Sequence, residues 1–140
     1  FATLFLAVFD TRTGVFRYCD AGHCKPYVLR ADGSAEELPT AKGIPVGAFE
    51  DAAYGEMERA LAPGESLVLY TDGITEAENA QGAWFGTDGL LSALRNCAGL
   101  PPEAVADRII AGVEAFAEGK APSDDIAVMV VRYDAESIAK

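Results

Sequence analysis

The sequence has no basic run, no long apolar run and few cysteines. Its 11 Lys and Arg are scattered among 22 Asp and Glu, for a formal net charge of -11. A polyanion partner needs a clustered Lys/Arg patch, so nucleic acid is disfavoured as a main partner and none is expected. The longest apolar stretches, Leu4 to Phe9 and Ile126 to Val131, fall far short of the about 20 residues that cross a bilayer. The N-terminal residues lack the basic region and cleavage-like site of a signal peptide. The three cysteines, Cys19, Cys24 and Cys97, are an odd count, against a complete disulfide framework. Cys19 and Cys24 have no second pair downstream to complete a zinc site, and His23 and Cys24 are neighbours that do not easily reach one metal together. Reduced, buried or half-buried thiols are expected, as in a cytoplasmic protein. There is no internal repeat, low-complexity segment or interdomain linker, and no calcium loop with alternating acids.

What is present is a foldable chain. Of 140 residues, 50% are hydrophobic, which argues against disorder and suffices for one core. A single domain over residues 1–140 is expected. The chain opens on Phe1 inside an expected strand, which predicts a piece of a larger domain.

Thr3 to Phe9 is apolar at successive positions and reads as a strand covered on both faces. Asp10 to Gly14 is a turn, and Val15 to Asp20 the return strand. Pro26 to Ala31 and Ala35 to Leu38 form a hairpin about Asp32-Gly33. Together these predict one antiparallel meander. Lys42 to Phe49 is expected to be a loop, Ala53 to Leu61 a strand, and Ser66 to Thr71 a buried strand stopping at Asp72-Gly73. Thr87 or Asp88 is expected to cap a short helix facing Leu90, Leu91 and Leu94 inward. Pro101-Pro102 opens a longer helix with a Val105, Ile109, Val113, Phe116 stripe. Ile126 to Tyr133 is a last strand, again covered on both sides. Strands, two helices, then a strand indicate an α+β layered domain and not a repeating βαβ sheet.

Chemistry is expected where acids meet core strands. Asp72 ends one, and Asp124 and Asp125 precede another. Carboxylates buried there are costly unless a positive charge meets them, and no Lys or Arg lies within three residues of any of these acids. Oxygen ligands select Mg²⁺ or Mn²⁺, or Ca²⁺, and Gly73 admits close backbone approach. Taken separately, Asp-Gly is a common turn and Asp-Asp a common cap. Spacing alone does not join them.

A resemblance does. In order, the chain carries Thr3-Leu-Phe-Leu-Ala-Val-Phe-Asp10, Asp20-Ala-Gly-His23, Gly43-Ile-Pro-Val-Gly47, Leu61-Ala-Pro-Gly-Glu-Ser-Leu-Val-Leu-Tyr-Thr-Asp-Gly-Ile-Thr-Glu-Ala77, Phe85-Gly86 and Ser123-Asp-Asp-Ile-Ala127. This set resembles the SpoIIE/RsbU-type serine phosphatases of bacteria, a branch of the metal-dependent PPM (type 2C) protein phosphatases. The resemblance implies a β-sandwich flanked by helices with two Mn²⁺ or Mg²⁺ ions at one end. It implies Asp72 and Asp124 as metal ligands in catalysis, Asp125 and the Gly73 backbone as weaker candidates, and a metal-activated water as nucleophile. It further implies a phosphoserine or phosphothreonine substrate on a regulatory protein, such as a STAS-type anti-anti-sigma factor, and a sensor domain upstream. Family members carry an earlier Gly-Asp block supplying a bridging carboxylate. This chain resembles the C-terminal two-thirds of such a domain and lacks that block, so its own metal centre is expected to be incomplete. Cys24, Val46 and Ala127 stand where Asn or Pro, Leu, and Thr are usual. His23 is expected to serve a turn in preference to general-acid work. Glu76 and Glu78 are expected to be solvated, and Trp84 and Phe85 to anchor the segment after Asp72. Two other readings compete: a non-catalytic pseudophosphatase or interaction module, and a Ca²⁺-binding β module. Exposed strand edges would favour self-association.

Overall fold

The computed structural model describes residues 1–41 and 43–135. Lys42, at the start of the expected loop, lies outside them.

Two antiparallel sheets stack face to face. The first contains β1 (Leu4–Phe9), β2 (Val15–Ala21) and β5 (Glu56–Ala60), ordered β1-β2-β5. The second contains β3 (Tyr27–Leu29), β4 (Ala35–Glu37), β6 (Ser66–Tyr70) and β7 (Val128–Arg132), ordered β4-β3-β6-β7. Phe16 and Tyr18 of the first sheet meet Val28 and Leu67 of the second, with Leu38 and Leu61 completing this core. Against the far face of the second sheet lie α2 (Gly86–Leu94) and α3 (Pro102–Ala117). Val68 and Tyr70 pack there against Leu90, Leu94, Val105, Ile109 and Val113. Strand β6 is therefore apolar at successive positions because Leu67 and Leu69 point into one core while Val68 and Tyr70 point into the other.

The expected single meander is split between the sheets. After β2 the Asp20 carboxylate accepts the His23 backbone N–H at 2.9 Å, and Gly22 adopts φ +77°. That turn carries the chain from one sheet to the other, so β1–β2 and β3–β4 are hairpins in different layers. Hydrophobic alternation records that a strand has a buried face, but not which strand it pairs with.

Two strands expected to be covered on both sides are not. Phe5, Ala7 and Phe9 of β1 pack inward, while Leu4, Leu6 and Val8 are 48%, 57% and 60% exposed. Among the described residues no layer covers that outer face, so its apolarity is not spent on this chain's own core. Met129 of β7 is similarly exposed.

The helices follow their signals closely. Pro102 occupies the first turn of α3, where its missing N–H costs nothing, and Val105, Ile109 and Val113 are buried at helical spacing. Left-handed Glu118 (φ 51°) ends it. Helix α2 starts at Gly86, so Thr87 and Asp88 lie in its first turn and neither side chain caps it.

Candidate metal centre

Strands β6 and β7 place the expected residues. Their antiparallel register runs from Ser66↔Arg132 to Tyr70↔Val128. Beyond Tyr70, the Thr71 N–H donates to the Ala127 carbonyl at 3.0 Å, and the chain then turns into a one-turn helix, α1 (Asp72–Thr75). Residues far apart in sequence are thereby set side by side. The approach is tight: a β-carbon on Gly73 would overlap the Asp125 carbonyl and lie 3.3 Å from the Asp124 carbonyl oxygen. Asp72-Gly73 and Asp124-Asp125 are one structural unit, which their separate turn readings did not require.

The electrostatic setting differs from expectation. Asp72, Asp124 and Asp125 are exposed, so no burial cost demands a counter-ion. Among the described residues none of the three has an ion-pair partner. One Asp124 oxygen accepts the Asp125 N–H at 2.7 Å, which orients that carboxylate. Exposed and unpaired acids remain available to an added cation. The described residues contain no group of three or more His, Cys, Asp or Glu placed to hold one.

Cys24 reports the local field. Burial pushes its thiol up, and Asp72, Glu76 and Asp20 push it further in the same direction. Acids from two segments, the end of β2 and the α1 turn, thus act on one half-buried sulfur. Asp20 itself is buried and engaged with the His23 N–H. Its structural weight was not read from the sequence, although an Asp three residues before a turn amide is a known capping pattern. Thr71 was also passed over, and no local signal marks it. All three cysteines are free, with Cys97 buried.

His23 holds a turn. Its backbone N–H is bound to Asp20, and its Nδ1 lies 3.3 Å from Thr3 Oγ1. Together with Leu4, Thr71 and Ala127 it lines an open cleft of about 390 Å³ between the start of β1 and the β6–β7 end. In the segment after Asp72, Phe85 is the anchor, 8% exposed and packed against Phe116. Trp84 instead stands out at 60% exposure. Glu78 is not simply solvated: it pairs with Lys120 Nζ at 2.7 Å and accepts the Trp84 indole N–H at 3.3 Å.

This arrangement of two sheets, flanking helices and an acidic strand end has counterparts. Residues 1–134 match the family described as Stage II sporulation protein E (SpoIIE). The chain belongs to the SpoIIE family. Similar sequences include Protein IcfG of Synechocystis sp., 34% identical over 94 residues, covering 67% of this chain and 15% of that protein. Phosphoserine phosphatase RsbU of Bacillus subtilis is 33% identical over 84 residues, 59% of this chain and 24% of RsbU. The SiaA-PP2C domain of Pseudomonas aeruginosa superposes with a TM-score of 0.79 at 25% identity, covering 94% of this chain and 52% of that one. The fold is that of the PP2C-type phosphatase domains. This SpoIIE chain spans a quarter or less of the curated relatives and about half of the SiaA domain.

Proposed function

We propose that this chain is part of a metal-dependent protein serine/threonine phosphatase domain that hydrolyses phosphoserine or phosphothreonine on a regulatory protein. The observation carrying this reading is the close packing at the β6–β7 end, where Gly73, the residue after Asp72, lies against the backbone of Asp124-Asp125 in a SpoIIE-family chain. The kinship with a phosphoserine phosphatase supports the substrate class. A STAS-type substrate and an upstream sensor domain in the same polypeptide belong to the same proposal.

The donors suit a hard cation in kind. They are carboxylate oxygens with a nearby backbone carbonyl at Gly73, and they have no cationic partner among the described residues. Asp72 and Asp124 would hold Mn²⁺ or Mg²⁺ with the Gly73 carbonyl, Asp125 being the weaker candidate. Such an ion, when bound, acidifies a coordinated water and neutralises phosphoryl oxygens. The chain's own part is to hold the oxygens in place. The β6–β7 pairing fixes the two backbones, and the Asp125 N–H orients the Asp124 carboxylate. Because fewer than three acids converge among the described residues, these residues supply part of a coordination shell.

The test uses the full-length protein carrying this chain, with p-nitrophenyl phosphate and Mn²⁺. Asp72→Ala and Asp124→Ala should each abolish phosphate release while leaving the circular dichroism spectrum unchanged. Near-full activity in Asp72→Ala would refute the assignment.

The lack of a three-acid group also favours a second reading, a non-catalytic interaction module. That reading predicts no turnover by the wild-type protein at any Mn²⁺ concentration.

A further inference from the structure

Strand β6 leaves its sheet at the point where Asp72 begins. An antiparallel rung between Thr71 and Ala127 would use both backbone groups of Thr71. The first is in place: the Thr71 N–H donates to the Ala127 carbonyl at 3.0 Å. The second is not made: the Thr71 carbonyl turns away to accept the Ile74 N–H at 3.0 Å in the first turn of α1. The side chain fills the vacancy. The Ala127 N–H donates to Thr71 Oγ1 at 2.9 Å, and the hydroxyl donates its own proton to the Asp125 carbonyl at 2.9 Å.

A threonine flanking a helix N-terminus usually turns its oxygen onto a helix N–H. Here Thr71 occupies that position and makes no such bond. Its donor and an acceptor lone pair are both spent across the chain, on residues 54 and 56 positions away. The backbone thus turns off at Asp72 without releasing the segment that carries Asp124 and Asp125.

We infer that Thr71 is a positioning residue, whose hydroxyl ties the Asp124-Asp125 segment to the strand end bearing Asp72 and so sets the spacing of these acids for a divalent cation. The inference rests on the metal reading above and adds to it the group that keeps the ligands in register. Ligand-orienting partners of this kind typically contribute about 10–100-fold to metal affinity.

The test compares Thr71→Val, which keeps the shape and loses the hydroxyl, with Thr71→Ser, which keeps the hydroxyl, in the full-length protein. Mn²⁺ is titrated by calorimetry, and amide hydrogen exchange is followed at Ala127. Thr71→Val should bind Mn²⁺ about 10–100-fold more weakly and expose the Ala127 amide to faster exchange. Thr71→Ser should stay close to wild type in both. If Thr71→Val does not fold, Thr71→Ala takes its place, and a Thr71→Ser protein with impaired Mn²⁺ binding would by itself overturn the inference. Unchanged Mn²⁺ affinity in Thr71→Val would overturn the role of Thr71 and leave the metal reading standing. No Mn²⁺ binding by the wild-type protein would overturn the metal reading, and the positioning role with it.

Discussion

Gly73 packs so closely on Asp125 that a β-carbon added to Gly73 would lie 2.9 Å from the Asp125 carbonyl carbon. The obstacle is backbone, which does not swing aside as a flexible side chain would. Gly73→Ala should therefore destabilise the domain by about 1–3 kcal/mol, the usual cost of overpacking. Denaturant unfolding measures this. An unchanged midpoint would show that the two acid-bearing segments separate easily, against the geometry described above.

Glu36 joins the two sheets electrostatically. It lies on β4 of the second sheet and accepts from Arg59 Nη1 of β5, in the first, at 2.7 Å, and also from Arg30. Arg59 first and Arg30 second hold its carboxyl below the usual glutamate range. A carboxyl lowered in the folded state contributes stability above its unfolded pKa and loses it as pH falls through the folded value. The melting temperature of Glu36→Gln should thus lie below wild type at neutral pH, and the gap should close in acid. Melting curves across pH check this. A gap independent of pH would assign the difference to something other than the charge.

Cys24 should be a sluggish nucleophile. Burial, then Asp72, push its thiol up, leaving little of the reactive thiolate at neutral pH. Alkylation by iodoacetamide, followed by mass spectrometry, should be slower at Cys24 than for free cysteine. Asp72→Asn removes one of the charges and should speed it. A rate unaffected by Asp72→Asn would place that carboxylate too far away to act on the sulfur.

Much of the architecture was legible because it rests on local signals. Pro102 and the Val105, Ile109, Val113 stripe of α3, and the Asp32-Gly33 hairpin, follow from residue geometry within a few positions. The ordered motif blocks pointed to the phosphatase family, and the SpoIIE match over residues 1–134 agrees. Pairing across the sandwich was less legible. The β1–β2 and β3–β4 hairpins look alike in sequence, and the turn at Asp20 to His23 sends them to different sheets. The apolar face of Leu4, Leu6 and Val8 read as covered, since hydrophobicity reports a residue's preference and not whether a layer is there to satisfy it. The acids at Asp72 and Asp124 were singled out for a burial cost they do not bear, because both are exposed.

By itself, the sequence determined the class of the fold, its family and the acids worth testing, because strand periodicity, helix starts and motif order are written along the chain. Only the tertiary structure decided that Asp72-Gly73 and Asp124-Asp125 form one unit, and that the Thr71 hydroxyl holds them together. Those contacts join residues more than 50 positions apart, and sequence spacing carries no information about which distant strand a given strand will pair with.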